Sequence, residues 1–300
     1  FQKKSNQELV IYLSYGVSFA GFIQLIFVYY FAKKHFSPNL NFKLKITNKI
    51  KDFFRKFLPG IFSSGVTQIN ILVGTIIASF QASAVSYLYY ADRIYQINLA
   101  IAGIAIGTVI LPNLSRYIKT RNIYKIKFIQ NKSFELCLFL SLPASMALVV
   151  GSEEITSALF GYGAFDKLSV LNSAKALFYF ALGLPAFAII KVFSTFLFAR
   201  DDTKTPFYYS LISVLINVTI SIAFFNKVGF IIIPIATSIS SWLNVLLLFY
   251  KLSTNDYFKI HNILNFLNLK ILIISIISTL VFYLFINIFN DYLLYESKLK

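Results

Sequence analysis

The chain has 300 residues, of which 57% are hydrophobic and only 13% are charged, and its mean hydropathy is +0.70. A soluble domain carries about 25% charged residues, so this composition leaves too few for a water-facing surface. The single cysteine, Cys137, lies in an apolar run and excludes a disulfide framework or a thiolate metal site. The composition therefore predicts an integral membrane protein rather than a soluble enzyme.

The basic charge also has a membrane explanation. The formal net charge is +16, which in a soluble protein would suggest nucleic-acid binding. Here the lysines and arginines lie mainly in the segments between apolar runs, as the positive-inside rule requires. Since those segments offer no nucleic-acid-binding domain of their own, we expect no nucleic-acid partner.

Apolar stretches recur along the whole chain at the length of about 20 residues that a bilayer core of about 30 Å requires. They predict about eight transmembrane helices, namely Leu9–Phe31, Phe57–Phe80, Ser86–Leu111, Phe134–Val150, Leu171–Phe198, Phe207–Phe225, Gly229–Tyr250 and Lys270–Phe289. The second and third of these are separated by a few residues and form a tight hairpin. The expected fold class is an all-α, polytopic membrane protein.

The distribution of basic residues predicts the orientation of these helices. Segment 33–56, between the first two predicted helices, is rich in lysine, and segment 116–132, between the third and fourth, is also basic. Because basic segments stay in the cytoplasm, we expect 33–56 to be a cytoplasmic linker that partly lies on anionic phospholipid. The short amphipathic segment Ser152–Asp166 is expected to lie in the outer interface of the membrane.

Helix-breaking residues interrupt several of the predicted spans. Pro143, Pro185 close to Gly183, and Pro234 each interrupt an apolar run. In a membrane such interruptions persist where neighbouring helices or a cavity satisfy the carbonyl groups that proline frees. A packing kink and a functional hinge both remain open as interpretations.

Three charged residues stand out within predicted spans, where charges are costly and usually functional. Asp92 and Arg93 begin the third predicted helix, and Lys191 lies in the fifth. Asp92 and Arg93 are about 100° apart on a helix, so they cannot neutralise each other side by side. The alternatives are an interfacial pair at a helix end and, for Lys191, a side chain that snorkels to the interface. His35 and His261 lie in polar loops and are interpreted as solvated.

The sequence carries no signature of an enzyme. It has no hydrolase elbow, phosphate loop or zinc motif. Paired carboxylates are absent from the predicted spans, which disfavours a membrane glycosyltransferase that needs a metal–diphosphate site. We therefore expect a protein that moves or binds something at a membrane rather than an enzyme, with no cofactor.

Several long motifs carry a family resemblance. They are LPGIFSSGVTQINILVGTIIASF (Leu58–Phe80), SYLYYADRIYQINLAIAGIAIGTVILPNLSR (Ser86–Arg116), LFGYGAF (Leu159–Phe165), GLPAFAIIKVFSTFLFARDDTKTP (Gly183–Pro206) and ATSISSWLN (Ala236–Asn244). In order and spacing they resemble the MurJ (MviN) lipid II flippase family of the MOP (multidrug/oligosaccharidyl-lipid/polysaccharide) exporter superfamily, over about Leu58 to Tyr250. The resemblance implies two six-helix lobes followed by two further helices.

This resemblance also implies a division of the chain. Residues 1–32 would be the last helix of the first lobe, 33–56 the linker between lobes, 57–250 the complete second lobe, and 251–300 an additional, truncated C-terminal helix region. Because the chain starts at Phe1 and stops soon after an apolar run, we expect a piece of a longer protein that lacks most of the first lobe.

The implied function is movement of lipid II, the undecaprenyl-diphosphate-linked peptidoglycan precursor, from the inner to the outer leaflet of the bacterial cytoplasmic (inner) membrane by alternating access. Arg93 matches the family's cavity arginine, with Asp92 its usual neighbour, and a guanidinium suits the diphosphate because it binds phosphate bidentately. A multi-pass monomer is expected. The alternatives are a related exporter of another lipid-linked oligosaccharide or a drug and, less favoured, a polyprenyl-linked glycosyltransferase.

One departure from the family pattern concerns sodium. Many relatives have Asp where this chain has Gly74, and some have a carboxylate where it has Ser221. The remaining positions of the family's sodium site match Asn217, the Ile233 carbonyl and Thr237. Because two anionic oxygen ligands are missing, we expect weak or absent sodium binding here.

Overall fold

The computed structural model describes residues 6–33, 50–51, 68–263 and 265–293, and within them every element of regular secondary structure is a helix. The predicted all-α membrane fold is confirmed, since six of the described helical runs are long and apolar enough to cross a bilayer. The chain separates into two units, Phe1–Lys51 and Asp52–Lys300.

The first unit contains one long helix, α1 (Asn6–Lys33), of 28 residues. Its length of about 42 Å exceeds a bilayer core of about 30 Å, and none of its apolar window is buried. Such a helix offers its whole apolar surface to lipid or to other membrane helices. It coincides with the predicted span Leu9–Phe31, whereas most of the predicted linker 33–56, including His35, lies outside the described residues.

The second unit is a helical bundle, described from Gln68 onward. Its helices are α2 (Gln68–Ser79), α3 (Ala84–Lys119), α4 (Ile123–Val150), α5 (Ser152–Phe160), α6 (Lys167–Phe198), α7 (Lys204–Val228), α8 (Ile232–Thr254), α9 (Ile260–Ile263) and α10 (Phe266–Leu293). Every predicted span coincides with one of the long helices, although only the part of Phe57–Phe80 that starts at Gln68 is described.

The basic segment 116–132 is helical and is not the loop that the sequence predicted. Helix α3 continues to Lys119, and α4 begins at Ile123. Only a short turn separates them, where the Asn122 side chain accepts a 3.1 Å hydrogen bond from the Lys125 N–H and caps α4. Hydropathy marks only the membrane-embedded part of a helix, and lysine and arginine are good helix formers, so the helices continue past the apolar run.

Pro185 lies inside α6 without ending it, and so does Pro143 in α4. Proline removes the hydrogen bond to the carbonyl four residues earlier, which for Pro185 is the carbonyl of Ala181. The Ser145 hydroxyl of α4 donates to that carbonyl oxygen at 2.6 Å. The expectation that a neighbouring helix satisfies the freed carbonyl is therefore confirmed at Pro185.

Pro234 does not interrupt a span, so that expectation is wrong. A short 3₁₀ turn, Gly229–Ile231, precedes α8, and Pro234 lies in the first turn of that helix. The first backbone N–H groups of a helix have no intrahelical partner, so proline is tolerated there. Gly183 has a packing role: a Cβ at this position would lie 2.6 Å from the Ser238 hydroxyl oxygen. The absence of a side chain at Gly183 therefore allows α6 and α8 to approach closely.

Helix α6 is the centre of the bundle. Its apolar window is 67% buried, more than that of any other candidate membrane helix among the described residues. It packs against α3, α4 and α8. One hydrophobic cluster joins it to α3 around Tyr95 and Leu184, and a second joins it to α3 and α8 around Ile106 and Phe193. These clusters hold in place the face of α3 that carries the charged residues.

Candidate functional site

Asp92 and Arg93 lie on α3 a little more than two turns after its start. The turn that joins α2 to α3 is tight, because Ser83 adopts a left-handed backbone with φ of 61° and the Gln81 N–H donates to the Ala78 carbonyl at 3.0 Å. Arg93 is thus about 14 Å along the helix from Ala84. This depth places Arg93 inside the span rather than in the turn itself.

The structure points the two charges in different directions. The Asp92 carboxylate is half-buried and accepts hydrogen bonds from the Gln96 amide and the Tyr95 hydroxyl. Arg93 is exposed, and its guanidinium carbon lies 4.5 Å from the centre of the Tyr89 ring. The expectation that one of the two charges faces away from the other agrees with this geometry. Arg93 therefore keeps its donors on the exposed side of α3.

Tyr95 is the residue that fixes Asp92, and it was missed from the sequence. Its ring is stacked on Phe180 at 5.1 Å and on Phe187 at 5.6 Å, both from α6. The packed ring leaves its hydroxyl one helical turn from Asp92, in hydrogen-bonding reach. The only sequence signal for this pairing is the three-residue spacing, which puts two side chains on one helix face.

The N-terminal part of α3 is tied to the short helix α5 by aromatic rings. Tyr90 packs against Phe160 at 4.9 Å and against Phe165 at 4.8 Å. Phe160 and Phe165 belong to the LFGYGAF motif and frame the turn that follows α5. The two sequence motifs that carry the resemblance, YYADR and LFGYGAF, therefore meet in one cluster next to Arg93.

The candidate ion-site positions come together between α2, α7 and α8. The Asn217 amide donates to the Thr237 hydroxyl at 3.0 Å, and Thr237 donates to the Ile233 carbonyl at 2.7 Å. The Ser221 hydroxyl donates to the side-chain amide oxygen (Oδ1) of Asn217 at 3.2 Å. A Cβ on Gly74 would lie 3.6 Å from the Ile233 side chain, so the five positions form one cluster.

This cluster does not fit a sodium ion well. Its oxygens are neutral, and its donors are already satisfied within the cluster. Among the described residues there is also no group of three or more His, Cys, Asp and Glu side chains that would hold a metal. A hard cation prefers carboxylate oxygens, which these positions lack. The cluster joins α7 to α8 through hydrogen bonds between Asn217 and Thr237, and weak sodium binding stays a prediction.

The remaining chemistry-bearing residues lie apart from these two clusters. Cys137 is buried in the α4 packing, as its apolar surroundings predicted. His261 lies in the four-residue helix α9 rather than in a loop, and it is exposed. Lys191 lies near the C-terminal end of α6, is exposed, and contacts α3 through its side-chain stem. None of these residues joins Asp92 and Arg93 within the described structure.

Comparison with known proteins identifies the family. The family model "Lipid II flippase MurJ" matches residues 1–300. A relative from Rhizobium meliloti (strain 1021), named "Probable lipid II flippase MurJ", is 42% identical over 241 residues, covering 80% of this chain and 45% of the relative. A relative of the same name from Rhizobium tropici is 39% identical over 242 residues, with coverage of 80% and 45%. The chain spans about half the length of these relatives.

Solved structures show the same architecture. "Lipid II flippase MurJ, inward closed conformation" matches with a TM-score of 0.64 and 28% identity, over 84% of this chain and 58% of that one. A multidrug resistance MATE family transporter of the MOP superfamily matches with a TM-score of 0.57 over 77% and 52%, at 17% identity, which shows the fold alone. Because a family model covers the whole chain and close relatives agree with it, this chain belongs to the MurJ lipid II flippase family.

Proposed function

We propose that this chain is the complete second lobe, with its flanking helices, of a flippase for lipid II. The protein moves this undecaprenyl-diphosphate-linked precursor from the inner to the outer leaflet of the bacterial cytoplasmic membrane by alternating access. The observation that carries the proposal is the exposed guanidinium of Arg93 within a membrane-spanning helix of a MurJ family member.

The division of the two charges supports a substrate role for Arg93. Asp92 is hydrogen-bonded to Tyr95 and Gln96, so its carboxylate does not cover the donors of the exposed Arg93 side chain. A planar guanidinium offers a fork of N–H donors that matches two phosphate oxygens at once. The guanidinium of Arg93 also makes a cation–π contact with the Tyr89 ring. A bound phosphate can replace this contact.

The reaction asks for no covalent chemistry at this site. Moving a lipid between leaflets requires binding and release of its headgroup, and we assign Arg93 and Asp92 to binding rather than to catalysis. The protein is accordingly a transporter and not an enzyme, and it acts as a multi-pass monomer. In this assignment 1–32 ends the first lobe, 33–56 links the lobes, 57–250 forms the second lobe and 251–300 begins the C-terminal helices.

The lack of anionic ligands at the candidate sodium site bears on the energy source for transport. Without a carboxylate at Gly74 or Ser221, the α2–α7–α8 cluster is a weak cation site. The membrane potential acts on charged groups with about 2.3 kcal/mol per elementary charge per 100 mV. We propose that this potential, rather than a sodium gradient, drives the conformational cycle.

Complementation of a flippase-depleted bacterium by the full-length protein tests the proposal. Arg93→Ala is expected to abolish growth, and Arg93→Lys to retain at most part of it, because lysine keeps the charge and loses the bidentate fork. Membrane abundance is measured in parallel for each variant. If Arg93→Ala is abundant and supports normal growth, the assignment of Arg93 to the substrate is wrong.

A further inference from the structure

Lys191 is an exposed cation on the most buried helix of the bundle. Between Ser169 and Phe198 of α6, the exposed side chains are those of Lys175, Leu182 and Lys191. Lys191 is seven residues before the end of α6, about 10 Å from it. It therefore lies in the inner third of the span, given the orientation that the basic residues predict.

Gly103 of α3 forms the seat of the Lys191 side chain, and Gly107, four residues later, packs against Thr195 and the Lys191 backbone. A Cβ on Gly103 would lie 3.1 Å from the Ala188 Cα and 3.4 Å from the Lys191 Cγ. A Cβ on Gly107 would lie 3.0 Å from the Thr195 hydroxyl oxygen. The two glycines are one turn apart, a spacing that lets membrane helices approach closely. The apolar stem of Lys191 therefore contacts α3 at Gly103, and the residue as a whole is exposed.

Gly103 also lies in the irregular part of α3. Residues Ala100–Ala105 form a π-helical stretch, and such stretches are rare and occur often at functional sites. The wider turn changes the face that α3 presents from this point inward. The seat of Lys191 is thus both a close helix contact and a local departure from α-helical geometry.

Lys191 lies on the same side of the α3–α6 contact as the Asp92 site. Phe187, one turn before Lys191 on α6, stacks on Tyr95, whose hydroxyl is bonded to Asp92. Along α3, Gly103 follows Arg93 by ten residues, or about 15 Å. The two cations, Arg93 and Lys191, therefore lie at two levels along α3.

The two helices offer Lys191 no acidic partner. Helix α6 carries no Asp or Glu, and the one acidic residue of α3 is Asp92, about 16 Å from Gly103 along the axis. Charges within membrane spans face water-filled paths or partners rather than lipid. The arrangement leaves the Lys191 ammonium without an acidic partner on α3 or α6 and available to an anionic ligand.

We propose that Lys191 binds the diphosphate of the lipid-linked substrate at the level of Gly103, before the diphosphate reaches Arg93. The proposal rests on the proposed flippase function and assigns a second residue to it. The anionic headgroup of a phospholipid offers the same phosphate chemistry. We choose the substrate diphosphate because Phe187, one turn from Lys191, stacks on Tyr95, whose hydroxyl reaches Asp92 beside Arg93.

The test compares binding of three lipids to the purified full-length protein by native mass spectrometry: undecaprenyl diphosphate, undecaprenol and phosphatidylglycerol. Lys191→Gln is expected to weaken binding of undecaprenyl diphosphate by about tenfold, the factor that corresponds to one lost charge-assisted hydrogen bond. Undecaprenol binding is expected to be unchanged. Lys191→Arg is expected to keep most of the affinity because it keeps the charge.

The matched control is Lys175→Gln on the same helix. Lys175 and Lys191 are 16 residues apart in α6, which at about 100° per residue puts them about 160° apart around the axis. Loss of Lys175 should leave the affinity for undecaprenyl diphosphate intact. If Lys191→Gln does not reach the membrane, Lys191→Met keeps the apolar stem beside Gly103 and replaces it in the comparison.

Three outcomes overturn the assignment of Lys191. The first is unchanged diphosphate binding by Lys191→Gln, as expected for a snorkelling lysine. The second is an equal loss of undecaprenol binding, which indicates a structural role. The third is a loss confined to phosphatidylglycerol, which indicates a phospholipid site. If the unmodified protein itself fails to bind undecaprenyl diphosphate, the proposed function fails, whatever the variants do.

Discussion

The Ser145 hydroxyl donates a 2.6 Å hydrogen bond to the carbonyl oxygen of Ala181, the group that Pro185 leaves without a helical donor. Two nearby carbonyl oxygens of α6 also accept hydrogen bonds from α8. The Ser238 hydroxyl donates to the Tyr179 carbonyl at 2.5 Å, and the Trp242 indole N–H donates to the Leu182 carbonyl at 3.0 Å. The middle of the central helix is therefore held from α4 on one side and from α8 on the other.

Ser145→Ala is expected to destabilise the full-length protein by about 1–3 kcal/mol, because it leaves a buried carbonyl without a donor. Thermal unfolding in detergent measures the effect. Thr219→Ala is the matched control, since Thr219 is exposed and bonds only to the Leu215 carbonyl of its own helix. In a Pro185→Ala background the backbone N–H returns, so Ser145→Ala should cost much less. An equal cost in both backgrounds would show that the serine does not replace that N–H.

Tyr95→Phe is expected to reduce transport without reducing membrane abundance. The change keeps the ring that packs on Phe180 and Phe187 and removes the hydroxyl that holds Asp92. Asp92 then loses a hydrogen bond of about 1.5–3 kcal/mol and becomes free to turn toward Arg93, where it competes with the substrate phosphate. The measurement is initial-rate flipping in vesicles, with Tyr87→Phe as the control. Equal rates for both variants contradict the positioning role of Tyr95.

We expect sodium to stabilise the full-length protein against unfolding no more than potassium does. The Gly74, Asn217, Ser221, Ile233 and Thr237 cluster has only neutral oxygens, so its affinity for either cation is low. Melting temperatures of the full-length protein in the two salts measure this, and Thr237→Ala should lower them equally. Sodium-specific stabilisation that Thr237→Ala removes would contradict the prediction.

Gly74→Asp is the complementary test, because it should create sodium binding rather than remove it. The structure has room for a side chain at this position, since a Cβ would make an ordinary 3.6 Å contact with Ile233. The added carboxylate supplies an anionic ligand beside Asn217 and Thr237, so sodium should now stabilise the variant more than potassium. If the variant folds and still shows no sodium preference, the missing carboxylate is not the reason for weak binding.

Single-cysteine labelling on whole cells tests the topology. The native Cys137 is buried and does not interfere. A cysteine at Tyr124, whose side chain is 80% exposed in the basic α3–α4 hairpin, should react with an impermeant maleimide only after permeabilisation. A cysteine at Ala164, exposed after α5, should react from outside. Labelling of Tyr124→Cys on intact cells would overturn the orientation.

The sequence predicts where helices cross the membrane better than how they are held together. Apolar length alone places α6 and α8, and the four-residue spacing of Asn217 with Ser221 predicts a shared face on α7. The link from Asn217 to Thr237 depends on how α7 meets α8, which no local pattern contains. The same is true of Tyr95, because its role follows from two phenylalanines almost a hundred residues later in the chain.

The main error of the sequence-based prediction concerned where the helices end, and its cause is physical. A hydropathy pattern measures the solvent that a segment prefers, whereas a helix ends where its backbone hydrogen bonding ends. Basic residues such as Lys119 and Lys125 satisfy both water and helical geometry, so α3 and α4 continue beyond the apolar run. The apolar pattern had therefore located only the embedded part of each helix.

The α3–α4 hairpin also gives the lobe a lever arm. Helix α4 has 28 residues, about 42 Å, so it is about 12 Å longer than the bilayer core is thick. Since α3 carries both Arg93 and the hairpin end at Lys119, any tilt of the lobe swings that end in proportion to its distance from the pivot. A spin label or fluorophore at Tyr124 would therefore magnify a rotation that is small at the substrate site.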